Sequence, residues 1–128
     1  MAWPCSARKV KNRFGVRFNP QTKTRISNDG LDIQTPAGSP VVAVFPGRVA
    51  YEGYLRGLGR FVILQHPGGY YTVYAHLEES LVNQGQAVVA GQMVGRSGET
   101  GSLEGPMLHF EVRDGKKPLD PQAWLKRG

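Results

Sequence analysis

Short apolar runs separated by turn residues recur along almost the whole chain. They fall at Leu31 to Ile33, Val41 to Phe45, Val49 to Tyr54, Phe61 to Leu64, Tyr70 to Leu77, Ala87 to Val89, Met93 to Val94 and Met107 to Val112, with Gly, Pro, Asn or Asp between most of them. Runs of this length, closed off by residues that favour turns, predict strands rather than helices. Ahead of them, residues 1–10 read as a tail or first edge segment, and Phe14-Gly15 to Gln21 reads as an irregular loop around Pro20. Only Pro121 to Lys126 predicts a helical turn, with Asp120 as its N-cap and Pro121 in its first position, sealing the sheet through Trp124 and Leu125.

Two stretches echo each other. Pro36-Ala-Gly-Ser-Pro-Val41 followed by Gly47-Arg-Val49 is similar to Val82-Asn-Gln-Gly85 followed by Val88 and Gly91-Gln-Met-Val94. Each reads as glycine turn, strand, glycine turn, strand, the pattern of two related halves packed as a sandwich. At 128 residues the chain holds one core, and the 17 Gly and 9 Pro fit many short strands. The expectation is an all-β domain over residues 11–128, with at most a short C-terminal helical turn, cut from the C-terminal part of a longer protein.

Sixteen Lys and Arg against ten Asp and Glu give a net charge of +6. That balance favours acidic partners such as anionic wall polymers, and serves solubility equally well. The basic residues are scattered and follow no zinc-finger, helix-turn-helix or RNP pattern, so nucleic acid is not expected. The single cysteine, Cys5, makes no internal disulfide and leaves the redox compartment open. No stretch approaches the apolar length of a membrane span, and the opening residues contain no signal-peptide core. An export signal, if used, is expected outside this piece.

Alternation within the strands locates candidate chemistry. In Met107 to Arg113 it sends Leu108, Phe110 and Val112 to the core and Met107, His109, Glu111 and Arg113 to the other face. In Tyr70 to His76 it sets Tyr70, Thr72, Tyr74 and His76 on one face, with Tyr71, Val73 and Ala75 opposite. Asp32 stands alone between Leu31 and Ile33, where a carboxylate needs a cation, a metal or backbone donors, or else caps the Asn28-Asp29-Gly30 turn. A strand-end His such as His76 is more often a hydrogen-bonded residue than a catalyst. His66, next to Pro67-Gly68-Gly69, takes a structural reading only.

The order Asn28-Asp-Gly-Leu-Asp32, Gly38-Ser-Pro-Val41, Gly47-Arg-Val49, Tyr74-Ala-His-Leu77, Gly91-Gln-Met-Val-Gly95, Gly98-Glu-Thr-Gly101 and Leu108-His-Phe-Glu-Val-Arg113 resembles the LytM or lysostaphin-type peptidoglycan endopeptidase domain from Phe14 to Leu125. The resemblance implies a two-halved antiparallel β-sandwich/barrel hybrid of the duplicated hybrid motif type. It also implies a zinc held by an H-x-x-x-D pair and the second His of H-x-H, with the first His of H-x-H and the His of Y-x-H-L assisting catalysis. Position by position, Asp32 and His109 keep ligand positions and His76 keeps a catalytic one. Asn28 stands at the lost ligand and Met107 at the lost catalytic His. An amide oxygen is a poor zinc donor beside imidazole, and a thioether moves no proton near neutral pH.

With Asn at the lost ligand, the tail Arg113 to Leu125 and the opening Trp3-Pro4 with Phe14-Gly15, the chain is similar to the degenerate LytM domains of EnvC-type murein hydrolase activators, although His109 is kept. That resemblance implies a non-catalytic regulator of the periplasmic or extracellular envelope, active in cell division or wall remodelling. It would bind and activate a peptidoglycan amidase, with peptidoglycan as a second candidate partner. No cofactor is expected; zinc belongs only to the alternative of an active metalloendopeptidase cleaving wall cross-links. A further alternative is a non-enzymatic peptidoglycan-binding module. Strand facing alone nominates Tyr54, Tyr70, Tyr74, Met107 and Arg113 as a partner-binding groove, with alanine at Tyr74 and Arg113 expected to weaken stimulation and spare the fold.

Overall fold

A computed structural model describes residues 2–125. The last residue of the predicted turn, Lys126, and the end of the domain at 126–128 lie outside the described residues. Twelve strands follow one another: β1 (Val10–Asn12), β2 (Gly15–Asn19), β3 (Thr24–Asn28), β4 (Leu31–Ile33), β5 (Pro40–Val42), β6 (Gly47–Leu55), β7 (Gly59–His66), β8 (Tyr70–Ser80), β9 (Ala87–Val88), β10 (Met93–Ser97), β11 (Leu108–Asp114) and β12 (Lys117–Leu119). A 3-10 turn at Pro121–Ala123 follows, and the Asp120 carboxylate accepts from the Gln122 N–H at its start, as predicted. Leu125 is buried against the core, and Trp124 packs on the Tyr70 ring at 5.4 Å.

The main sheet runs β1-β4-β11-β8-β7-β6-β9, entirely antiparallel, with β12 on β11. β10 pairs with β5 and with the far end of β8, which turns the sheet over on itself. The two echoing segments pair with each other: Val41 faces Gly95 across β5 and β10, and Gly47 faces Val88 across β6 and β9. Their glycine turns interlock as well, since the Gly91 N–H donates to Ala43 O and the Gly85 N–H to Val49 O. The two halves therefore close one core containing Leu31, Ile33, Val41, Val49, Leu64, Val94 and Phe110.

Two segments differ from expectation. The stretch from Gly15 to Gln21 is not a loop: Gly15–Asn19 pairs with Thr24–Asn28 in a separate two-stranded ribbon, and Pro20 sits in its turn. The alternation of Val16 and Phe18 was too short, between Gly15 and Pro20, to mark a strand, and both strands are largely exposed. Residues Lys117–Leu119 also form a strand, too short and polar to signal itself. In the first ten residues, Cys5 is buried, the Val42 N–H donates to Pro4 O, and Val10 opens β1.

Tyr74 lies in the middle of that core, fully buried. Its hydroxyl accepts from the Val44 N–H at 3.2 Å and lies 2.9 Å from the Thr72 hydroxyl, which is 2.7 Å from His66 Nε2. His66 Nδ1 donates to Pro46 O at 2.8 Å, so this chain of polar groups is satisfied end to end and His66 is structural. Burial pushes the Tyr74 hydroxyl up to about 12 and His66 below its ordinary value. Tyr74→Phe is expected to strand the buried Val44 N–H and to cost about 1–3 kcal/mol in urea unfolding. A midpoint unchanged by the substitution would contradict that accounting.

Candidate functional site

Register decides which side chains share the open face of the sheet. On β11 and β8, His109 lies opposite Ala75, Glu111 opposite Val73, and Arg113 opposite Tyr71. On β7 and β6, Ile63 continues that row and lies opposite Tyr51. Directly opposed residues point to one side of a sheet, so this face carries Tyr51, Ile63, Tyr71, Val73, Glu111 and Arg113. These residues line a depression of about 550 Å³.

Simple alternation placed His76 with Tyr74 and Tyr70, and the structure corrects this. From Tyr74 to Leu77 on β8, three steps match the two from Val62 to Arg60 on β7, so β8 carries one extra residue. His76 takes up that bulge at φ 64°, a conformation rare outside glycine. The strained residue is held by its N–H donating to Leu58 O and its carbonyl accepting from the Gly98 N–H. The bulge inverts the side-chain sequence, so His76 joins the face of Tyr71 and Val73 while Tyr74 stays inside.

The nominated groove changes accordingly. Arg113 is on the open face and Met107 lines the neighbouring cleft. Tyr74 is core, so its alanine variant would damage the fold rather than spare it. Tyr70 packs with Trp124 beside an apolar hollow also lined by Phe45 and His66. Tyr54, opposite Arg60, is exposed off the open face at the end of β6. Tyr51 and Tyr71 take the places assigned to these tyrosines.

At Leu58 the open face meets a cleft of about 270 Å³ that gathers Asn28, Asp32, His76, Met107 and His109, with Asn12 and Glu104 beside them. Asp32 and His109 are paired across β4 and β11, and His109 Nδ1 donates to Asp32 Oδ1 at 2.7 Å. The other ring nitrogen, Nε2, lies 2.7 Å from Glu111 Oε2. Glu111 in turn accepts from Arg113 Nε at 2.6 Å, and Arg113 reaches Asp29 at 3.6 Å. Gly30 makes room for this chain, because a Cβ there would lie 2.3 Å from Phe110 O and 2.7 Å from Glu111 Cγ.

A carboxylate on each side requires both ring nitrogens of His109 to carry protons. Burial opposes that charge, but the hydrogen bonds and negative charge of Asp32 and Glu111 outweigh it and push the imidazole up to about 9. Burial likewise opposes ionisation of Asp32 and Glu111, and the same contacts outweigh it, holding both carboxyls below their usual range. Asn12 adds a 3.0 Å hydrogen bond to Asp32 Oδ2 and a 2.8 Å bond to Glu104 Oε1.

Asn28 turns its amide nitrogen toward Asp32 Oδ2 at 3.4 Å and Arg13 O at 3.2 Å, while its oxygen accepts from the Gly30 N–H and caps the turn. The turn-capping role once open to Asp32 therefore belongs to Asn28. His76 Nδ1 donates to Thr100 O at 2.8 Å, which fixes the ring 6.0 Å from that of His109. Burial holds His76 below its ordinary value, so at neutral pH its unprotonated nitrogen is Nε2. Met107 is 3% exposed, packed into the cleft wall. Among the described residues no three His, Cys, Asp or Glu side chains are gathered as they would be around a metal ion.

Sequence reasoning brought Asn28, Asp32, His76, Met107 and His109 to one place. It missed Asn12 and Glu104, which no local pattern links to Asp32, and it gave Glu111 no role. The i, i+2 spacing of His109 and Glu111 on one strand face was the available signal.

Residues 26–121 match Peptidase family M23. The chain is 38% identical to the cell division protein DipM of Caulobacter vibrioides over 98% of its length and 21% of DipM. It is 39% identical to the lipoprotein NlpD/LppB homolog of Pseudomonas aeruginosa over 98% of its length and 40% of that protein. The chain thus spans less than half of either relative. A zinc-containing peptidase from Vibrio cholerae superposes with a TM-score of 0.86 at 35% identity, over 92% of this chain and 37% of that one.

Proposed function

This chain belongs to peptidase family M23, and from that premise we propose that its LytM-type domain is a non-catalytic regulator of the cell envelope that binds and activates a peptidoglycan amidase. The observation that carries the reading is His109 clamped by Asp32 and Glu111 at 2.7 Å on each side. A zinc ligand must offer a lone pair, and both nitrogens of this ring are committed to carboxylates. Asn28 directs its amide nitrogen, not its oxygen, at Asp32. The residues present therefore do not fit the zinc of active family members, whose metal supplies a Lewis acid and an activated water. Met107 offers no proton in place of the missing imidazole.

What remains is a recognition surface. The open face presents two tyrosines, Ile63 and a cationic rim at Arg113 and Lys116, next to a cleft with Met107 in its wall. Such faces take a partner's side chains without chemistry. The names of the DipM and NlpD/LppB relatives support a role in division and at the envelope, and so a periplasmic setting, and peptidoglycan itself is a further candidate partner. The rival reading, a zinc endopeptidase, draws on Asp32, His76 and His109 sharing one cleft and on the zinc-containing neighbour.

Two measurements on one preparation separate these readings. The purified protein should stimulate a cognate amidase on isolated murein, and Tyr51→Ala with Tyr71→Ala should reduce that stimulation by about tenfold or more while the circular dichroism spectrum is unchanged. Cross-link cleavage by the protein alone, with one equivalent of zinc bound, would establish the rival. Murein binding without amidase stimulation would favour a wall-binding module instead.

A further inference from the structure

Apart from Asn28 at its end, the β2–β3 ribbon has no role in the readings above, and it is unlike the rest of the molecule. It pairs with no third strand among the described residues. It nevertheless carries apolar side chains in water: Val16 is 65% exposed, Phe18 62% and Ile26 44%. Register places Val16 and Phe18 on one face, with Ser27 and Arg25 opposite them, while Arg17 and Ile26 form the other face and line the cleft. From Arg13 to Asn28 the chain holds four cations, Arg13, Arg17, Lys23 and Arg25, and no acidic residue. Among the described residues none of the four is in an ion pair.

We infer that the β2–β3 ribbon is a docking arm for an extended polypeptide segment that alternates acidic and apolar residues, adding to a free edge of the ribbon and covering Val16 and Phe18. A two-stranded ribbon is marginal in water, and its unpaired edges are templates for a third strand. Added as such a strand, a segment of period two sets apolar side chains on the face of Val16 and Phe18 and turns its carboxylates to the other face, within reach of Arg17. Charge selects the occupant. A second copy of this chain would bring two sets of four cations together, which disfavours it. A lipid surface would first meet the turn Pro20 to Lys23, which is polar, while the apolar residues lie behind it. Because Arg17 and Ile26 also line the cleft, a segment on the arm leads directly into it.

The test needs no amidase, so its outcome is separate from the regulatory reading. A fluorescent peptide of alternating Glu and Val is titrated into the full chain at low salt and followed by anisotropy, and amide exchange is measured with and without it. Saturable binding is expected, with new protection confined to residues 15–28 and none with the Lys and Val counterpart. Val16→Asp with Phe18→Asp should weaken binding about tenfold or more. Both positions are exposed, so the melting temperature should hold; if it does not, the wild-type exchange pattern still decides. Absence of binding, protection elsewhere, or full affinity in the variant overturns the inference. Loss of binding to phosphatidylglycerol vesicles in that variant, with no peptide binding, would assign the arm to lipid.

Discussion

Asn28→His is expected to convert the cleft into a zinc site, and Asn28→His with Met107→His to add cleavage of wall cross-links. Residue 28 already turns toward Asp32, with its amide nitrogen 3.4 Å from the carboxylate. An imidazole there would complete a set of two His and one Asp with His109, the three-ligand arrangement of a catalytic zinc. The obstacle is the proton on His109, held by Asp32 and Glu111 up to about 9. Zinc must displace that proton, so binding by the single variant should strengthen by about tenfold per pH unit between pH 7 and 9. Below pH 7 the penalty grows further. Met107→His then restores a group able to move a proton beside the bound water, which Asn28→His alone lacks. Titration with a competing chelator reads the first effect and digestion of purified murein the second. Zinc affinity in Asn28→His that is flat with pH would mean His109 is neutral in the native protein. Failure of the variant to bind zinc at any pH would mean that more than these two side chains separates this cleft from a metal site.

The strands that pack on the core were legible because burial leaves a record in sequence. Leu31 and Ile33, or Leu108, Phe110 and Val112, alternate because each has one face on the core. The ribbon of Gly15–Asn19 and Thr24–Asn28 leaves only the short alternation of Val16 and Phe18, and its residues are largely exposed. The echo between Pro36 to Val49 and Val82 to Val94 was real evidence of architecture: its two copies pair across β5 with β10 and β6 with β9.

The cleft was legible for the same reason and misread for a related one. Asp32 and His109 sit on regular strands, so their facing followed from counting. His76 does not, because the extra residue in β8 shifts the count by one. A bulge has no signature of its own in Tyr-Ala-His-Leu, and the assignments of Tyr70 and Tyr74 fell with it. Asn12 and Glu104 were beyond reach for a different reason. Asn12 donates to Asp32, 20 residues away, and to Glu104, 92 residues away, contacts that only the folded register brings together.

His109→Leu is expected to destabilise the fold by about 3–5 kcal/mol near pH 6, the cost of leaving buried carboxylates without their shared cation. Asp32 would keep only Asn12 and the long contact to Asn28, and Glu111 only Arg113. The penalty should depend on pH in a way that follows from the shifts. His109 binds its proton more tightly folded than unfolded, so its contribution is complete below the unfolded value of about 6.5 and is lost as pH rises through about 9. Asp32 and Glu111 are held below their ordinary values, so their contributions are present above about 4 and are lost as pH falls further. The stability gap between wild type and His109→Leu should therefore be widest from about pH 5 to 6.5 and narrow on both sides. His66, lowered by burial, acts in the opposite sense below 6.5 but does so in both proteins and cancels in the difference; His76, lowered by burial and also by the charge on His109, is relieved of that charge in the variant, which narrows the gap further on the acid side. Urea unfolding across that range reads the gap directly, and a gap that stays constant to pH 9 would remove the imidazolium from the cleft. A gap closing with the titration of one ring would identify the imidazolium, donating one N–H to each carboxylate, as the positive charge around which Asp32, His109 and Glu111 are organised.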